Sequence, residues 1–146
     1  MTRRAKDDLT LDLFAVPQPH RPIPASMDHR ATVAHLVADM LKAADGDRYA
    51  IAAEMSRLTG KDISKAMLDA YTSEARDAWN LPYWLGVVLE RACQSHVLTT
   101  WSADVHGGRL LLGKDNLAAQ LGRLVRAKEE TDQQIKQLKK LMGEMG

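Results

Sequence analysis

Along most of the chain, apolar residues recur at the three- and four-residue spacing of an α-helix rather than the two-residue spacing of a strand. Val33, Leu36, Val37, Met40 and Leu41 make the first such run. Ser26, with Asp28 in the next turn, supplies its N-terminal signal, and Gly46 ends it. A second helix is predicted over residues 47–59, with Ile51, Met55 and Leu58 on one face and Gly60 past its end. A third covers about 63–79. A fourth begins near Asn80, Leu81 and Pro82, where proline suits the first helical turn, and runs to about Ser95 with Trp84, Leu85, Val88 and Leu89 apolar. A fifth, short helix covers 97–105 and is closed by Gly107 and Gly108. Residues 27–106 contain no convincing strand pattern.

The two ends read differently. Four of the five prolines, Pro17, Pro19, Pro22 and Pro24, fall near the start and predict an extended, polyproline-like stretch over 16–24. Ahead of it Leu9, Leu11 and Leu13 alternate with polar residues up to Phe14, the pattern of a short strand or a linear docking peptide. From Lys114 to Met145 a heptad seam advances through Leu117, Leu121, Leu124, Lys128, Thr131, Ile135, Leu138, Met142 and Met145. A 30-residue helix there extends roughly 45 Å, longer than a small domain needs. It either folds back on its own domain or, the preferred reading, joins copies through a coiled coil. Lys128 and Thr131 weaken the middle of that seam, or set register and partner orientation. The predicted fold is all-α: a five-helix domain at 27–106 between an extended arm at 1–26 and a C-terminal oligomerisation helix at 107–146.

Composition narrows the class without naming a reaction. A chain of 146 residues that is 45% hydrophobic has enough apolar material for one packed domain. Its single cysteine excludes an intramolecular disulfide framework and a four-cysteine zinc site. No apolar run approaches the ~20 residues of a bilayer span. The start turns acidic at Asp7 and Asp8 before any apolar stretch, unlike a secretory signal. The expectation is a cytoplasmic protein without membrane attachment. Formal charge is +1 overall, divided as +1 over 1–26, −3 over 27–106 and +3 over 107–146. Nucleic-acid binding therefore has to come from a local face or from the basic C-terminal arm.

The candidate face lies in residues 48–76. Helix, glycine-bearing turn and helix follow one another there, small Ala52 and Ala53 allow close approach, and Gly60 supplies a positive φ. On a helical wheel Ile63, Met67, Ala70 and Tyr71 share one arc. Lys61, Lys65, Asp69, Thr72 and Arg76 occupy another, roughly opposite. Long cations on such a stripe reach phosphates or guanine edges, and the hydroxyls of Ser64 and Thr72 allow close approach. The same pattern arises in any short helical bundle, whose exposed stripe docks a protein or is merely solvated.

This arrangement resembles the helix-turn-helix of the phage-repressor and transcriptional-regulator superfamily over about 31–105, although its turn is three residues longer. The strings Leu9–Phe14, Ser64–Tyr71 and His106–Leu112 are also similar to small uncharacterised proteins of Mu-like transposable prophages. The prophage similarity implies a genomic setting and no activity. The polar stripe, the heptads and the helix-turn-helix resemblance together lead to the expectation of a non-enzymatic DNA-binding regulatory protein acting as an oligomer, preferably a dimer, with Lys61, Ser64, Lys65, Thr72 and Arg76 facing duplex DNA. Leu117, Leu121, Leu124, Ile135, Leu138 and Met142 would join the copies. Leu11, Asp12, Leu13 and Phe14 resemble the short peptide by which bacterial replication proteins bind the sliding clamp, with threonine where that family has glutamine. The alternatives are therefore an adaptor docking a host or phage protein through this tail, the tail covering its own core, and a DNA-packaging recognition subunit.

Catalytic and cofactor chemistry finds little footing. Cys93, His96 and His106 lack the second close pair of a zinc pattern, and Cys93 with His96 three residues on does not aim an imidazole at a thiolate. Gly107 and Gly108 lack the lysine-hydroxyl ending of a phosphate loop. Trp79, Trp84 and Trp101 sit at helical apolar positions, as core or interface residues do, rather than as a stacking platform. No metal and no cofactor are expected.

Overall fold

The structure, a computed structural model, describes residues 16–145. The expected docking residues Leu11, Asp12, Leu13 and Phe14 lie outside the described residues. Among those described, the chain is all-α: α1 (Arg30–Ala43), α2 (Arg48–Thr59), α3 (Lys65–Tyr71), α4 (Tyr83–Cys93), α5 (Val97–Val105) and α6 (Lys114–Glu144). None of these helices is long and apolar enough to cross a membrane. Contacts divide the chain into two compact units, the first ending at Arg109 and the second beginning at Leu110.

Local chemistry sets the helix ends. The Asp47 carboxylate accepts the Ala50 N–H at 2.8 Å and caps α2, while Gly60 at φ 66° closes it with its N–H on the Ser56 carbonyl. Ser64 caps α3 by accepting the Met67 N–H at 3.2 Å. α1 starts at Arg30, later than the Ser26 signal, because the Ser26 hydroxyl donates to the Arg21 carbonyl at 3.3 Å and Ala25 has a positive φ of 63°. It also stops at Ala43, before Gly46. Pro82 precedes α4 as its cap instead of lying in the first turn, and Gln94 ends α4 in the left-handed conformation. α5 covers the residues expected of it.

The largest departure is α3, which ends at Tyr71 rather than near 79. Thr72 donates its hydroxyl to the Asp69 carbonyl at 2.7 Å, and the Ser73 N–H turns back to the Ala70 carbonyl. The segment that follows is drawn to α1 instead. Arg30 donates to the Glu74 carbonyl at 3.0 Å and pairs with Asp77 at 2.5 Å, and His35 pairs with Glu74. These three tertiary contacts outweigh the modest helical preference of residues 72–79, as tertiary context commonly does.

The core of the first unit gathers Val37, Met40 and Leu41 from α1, Ile51 and Met55 from α2, Leu68 and Tyr71 from α3, and Leu85 and Leu89 from α4. Each such side chain contributes about 1.5–3 kcal/mol by leaving water. α2 packs chiefly on α4, and α1 on α5. On α2, Leu58 and Ala53 face solvent, so the buried line runs through Ile51, Ala52 and Met55.

The arm is clasped onto this unit. Pro19 forms an antiparallel bridge with His106, the His20 N–H donates to the Val105 carbonyl at 3.0 Å, and the His20 ring meets Asp104 at 3.1 Å. Gly107, at φ 75°, lies so close that a Cβ there would stand 2.5 Å from the Pro19 nitrogen. α6, in the second unit, has 31 residues and none buried; Leu117, Leu121, Leu124, Ile135, Leu138 and Met142 are all exposed.

Candidate functional site

The α2–α3 pair, joined by the Gly60 turn, presents the expected basic residues on three different pieces of backbone. Lys61 lies in the turn, Ser64 and Lys65 open α3, and Thr72 follows its last residue. Arg76 lies beyond, in the segment tethered to α1. The five do not form one stripe along one helix, because α3 is seven residues long. Ser64 spends its hydroxyl on the cap, and Thr72 spends its own on Asp69.

Asp69 organises what is left. It accepts from Lys65 Nζ at 2.7 Å and from Arg48 Nη1 of α2 at 2.6 Å. The Lys65 hydrogen bond, then that of Arg48, hold its carboxyl below the ordinary aspartate range, and the same bond to Asp69 raises Lys65 above the ordinary lysine range. Two cations share one carboxylate, so the cluster keeps one positive charge. An aromatic face completes it, with Lys65 Nζ 5.6 Å from the Tyr49 ring centre; separately, Lys61 Nζ stands 5.7 Å from that of Trp84. Tyr49 and Trp84 are at least half exposed.

Arg48 and Tyr49 escape the sequence reading, in which Trp84 is a core or interface residue with no link to Lys61. The pairing of Lys65 with Asp69 is legible as a four-residue helical spacing. Nothing in a linear pattern brings Arg48 to Asp69, or Trp84 of α4 to Lys61, because those contacts depend on how the helices pack.

The other candidates resolve into structure. Cys93 is buried, and burial pushes its thiol above the ordinary cysteine range, the reverse of an activated nucleophile. His96 and His106 are exposed, and among the described residues no group of three or more His, Cys, Asp and Glu has metal-holding geometry. Trp101 meets His29 edge-on, ring centres 5.1 Å apart, whereas Trp79 and Trp84 are about half exposed rather than core. A cleft of about 420 Å³ opens among Leu81, Gly86, Leu98 and Trp101. Glu90 stands on its wall, but both of its carboxylate oxygens already accept from Thr99.

No protein-family model matches the chain, and neither any curated protein nor any solved structure matches it at a significant level.

Proposed function

We propose that the protein is a non-enzymatic, oligomeric DNA-binding protein that meets duplex DNA with the α2–α3 surface, in the manner of a helix-turn-helix regulator, and joins its copies through α6. The observation that carries this reading is the Arg48–Asp69–Lys65 cluster beside Tyr49, with the Lys61–Trp84 pair as a second cation on an aromatic face in the same helix-turn-helix segment. Guanidinium and ammonium groups supply the phosphate contacts on which DNA affinity chiefly rests. The residual positive charge of the Asp69 cluster offsets, at this face, the net −3 of residues 27–106. Fluorescence anisotropy of duplex DNA at two salt concentrations tests it, with wild type compared to an Arg48→Ala/Lys61→Ala variant. The expected result is an affinity that falls with salt and falls again in the variant, with a shallower salt slope. Absence of binding at low salt removes DNA from the reading.

A second reading, a protein-docking adaptor, is favoured by one observation. Tyr83, Trp84 and Val87 stand exposed together on α4, with Tyr83 88% exposed. Aromatic side chains of this kind anchor protein interfaces. A Tyr83→Ala/Val87→Ala variant separates the two readings: it leaves salt-dependent DNA affinity intact and removes partner capture.

A further inference from the structure

The exposed seam of α6 contains its own instruction for pairing. Lys128 and Thr131, its two polar members, lie almost midway between Lys114 and Glu144. On either side of them the seam is apolar, through Leu117, Leu121 and Leu124 before them and Ile135, Leu138, Met142 and Met145 after them.

We propose that α6 pairs antiparallel with α6 of a second copy, with Lys128 of each chain opposite Thr131 of the other. This deepens the oligomeric part of the function proposed above and rests on that part alone. Four layers follow, each occurring twice by symmetry. Lys128 meets Thr131, Leu124 meets Ile135, Leu121 meets Leu138, and Leu117 meets Met142. In these four layers polar falls on polar and apolar on apolar; only at the outer end does the apolar Met145 come opposite Lys114. This register also overlaps the two helices along almost their whole length of about 46 Å, at 1.5 Å per residue for 31 residues.

Charge decides between this arrangement and the parallel one. In a parallel, in-register pair Lys128 faces Lys128 across the seam, two ammonium groups in a region from which water is largely excluded. Like charges so placed disfavour an interface. In the antiparallel pair each ammonium faces a hydroxyl and lies next to Asp132, which flanks Thr131 on the other chain. A single polar layer of this kind specifies register and orientation in coiled coils at some cost in stability. The flanking positions add no contrary signal. In the parallel pair Gln120 would meet Val125, Ala127 would meet Asp132 and Gln134 would meet Lys139, so no opposite charges are brought together.

The wild-type chain tests the orientation. Equal amounts of ¹⁴N- and ¹⁵N-labelled protein are mixed, treated with a short amine-to-amine linker and digested, and joined peptides are read by mass spectrometry. Within one helix Lys114 and Lys140 are about 39 Å apart, beyond such a linker. The antiparallel pair brings Lys114 of one copy near Lys140 of the other, so mixed-isotope Lys114–Lys140 links are expected. Lys114–Lys114 and Lys140–Lys140 links instead would overturn the proposal while leaving self-association standing. A second measurement uses a Cys93→Ala background in a glutathione buffer. Leu124→Cys mixed with Ile135→Cys forms a disulfide-linked dimer, and each alone does not. A disulfide dimer of Leu124→Cys alone overturns the antiparallel orientation. Sedimentation of the wild-type chain as a monomer at micromolar concentration overturns both the orientation and the oligomeric reading.

Discussion

Glu90 of α4 closes the first turn of α5 through Thr99. One carboxylate oxygen accepts the Thr99 N–H at 3.1 Å and the other its hydroxyl at 2.7 Å. α5 has no side-chain cap from its own flanking residue, so this buried acid from a neighbouring helix supplies it. Removing the acceptor strands a helix-end donor. Glu90→Ala is expected to lower unfolding free energy by about 1–3 kcal/mol. Thr99→Val, which keeps the N–H bond, should cost about 1 kcal/mol. Urea unfolding followed by circular dichroism measures both.

The Asp69 cluster makes a prediction about pH. The Asp69 carboxyl is held below its ordinary range, so what it contributes to stability is complete above the unfolded aspartate value. That contribution is lost as pH falls through the depressed folded value. Lys65 is raised, so its contribution is complete below the unfolded lysine value and is lost as pH rises through the raised one. Carboxyl-detected NMR titration should find the Asp69 midpoint low in the wild type and higher in Lys65→Met, with Arg48→Met giving a further rise when combined. An unchanged midpoint in the double variant would show that neither cation holds it.

Cys93 should be inert while the protein is folded. Burial keeps its thiol protonated over a wider pH range than a free cysteine. Ellman's reagent at pH 8 is therefore expected to react with native protein at the rate of unfolding, and at once in guanidinium chloride. Fast reaction of the native chain would contradict the burial.

How much of this was legible before the fold is clearest at α2 and α3. Asp47, Gly60 and Ser64 mark ends by chemistry confined to a few neighbouring residues; the Gly60 stop is legible in the sequence, whereas Asp47 and Ser64, expected within the helices, turn out to cap them. The end of α3 is not legible, because residues 72–79 contain no glycine or proline; there Thr72 and Ser73 turn back on Asp69 and Ala70, and Arg30 and His35 of α1 hold Glu74 and Asp77. A wheel that groups Lys61, Lys65, Thr72 and Arg76 requires one uninterrupted helix, so the shorter α3 breaks the single stripe. The wheel also omits Leu68, which is completely buried, and the apolar face read for α2 includes Leu58, which is exposed. Arg48 reaches Asp69 across a packed helix pair, and periodicity within one element contains no information about that.

Self-association has its own test by surface chemistry. Leu121→Asp with Leu138→Asp places charge in the apolar layers on both sides of Lys128. Analytical ultracentrifugation should find this variant monomeric at concentrations where the wild type is not, with less helical signal because an isolated helix gains little without packing. Equal sedimentation of the two proteins would mean that the seam joins nothing.

Gly107 is the position where a single methyl group should free the arm. Alanine at φ 75°, against a neighbour at 2.5 Å, displaces Pro19. Gly107→Ala is therefore expected to speed hydrogen exchange at the His20 amide, which donates to Val105, while amides of α2 and α4 stay protected. Gly60→Ala provides the contrast. It has a similar φ of 66° but open space around it, so it should cost about 1 kcal/mol in stability and leave the His20 amide unchanged.

The meeting of Pro19 with His106 makes the helical unit a ring in all but covalent connection. Its first and last stretches lie side by side, so its five helices follow one another around a closed circuit. Where such a circuit is opened matters little to the core. Joining the two stretches by a short linker and cutting at the 44–47 connection, between α1 and α2, is expected to leave the buried contacts between helices available. The unit is thus suited to circular permutation, and a permuted protein is expected to keep its fold without the clasp having to form by itself.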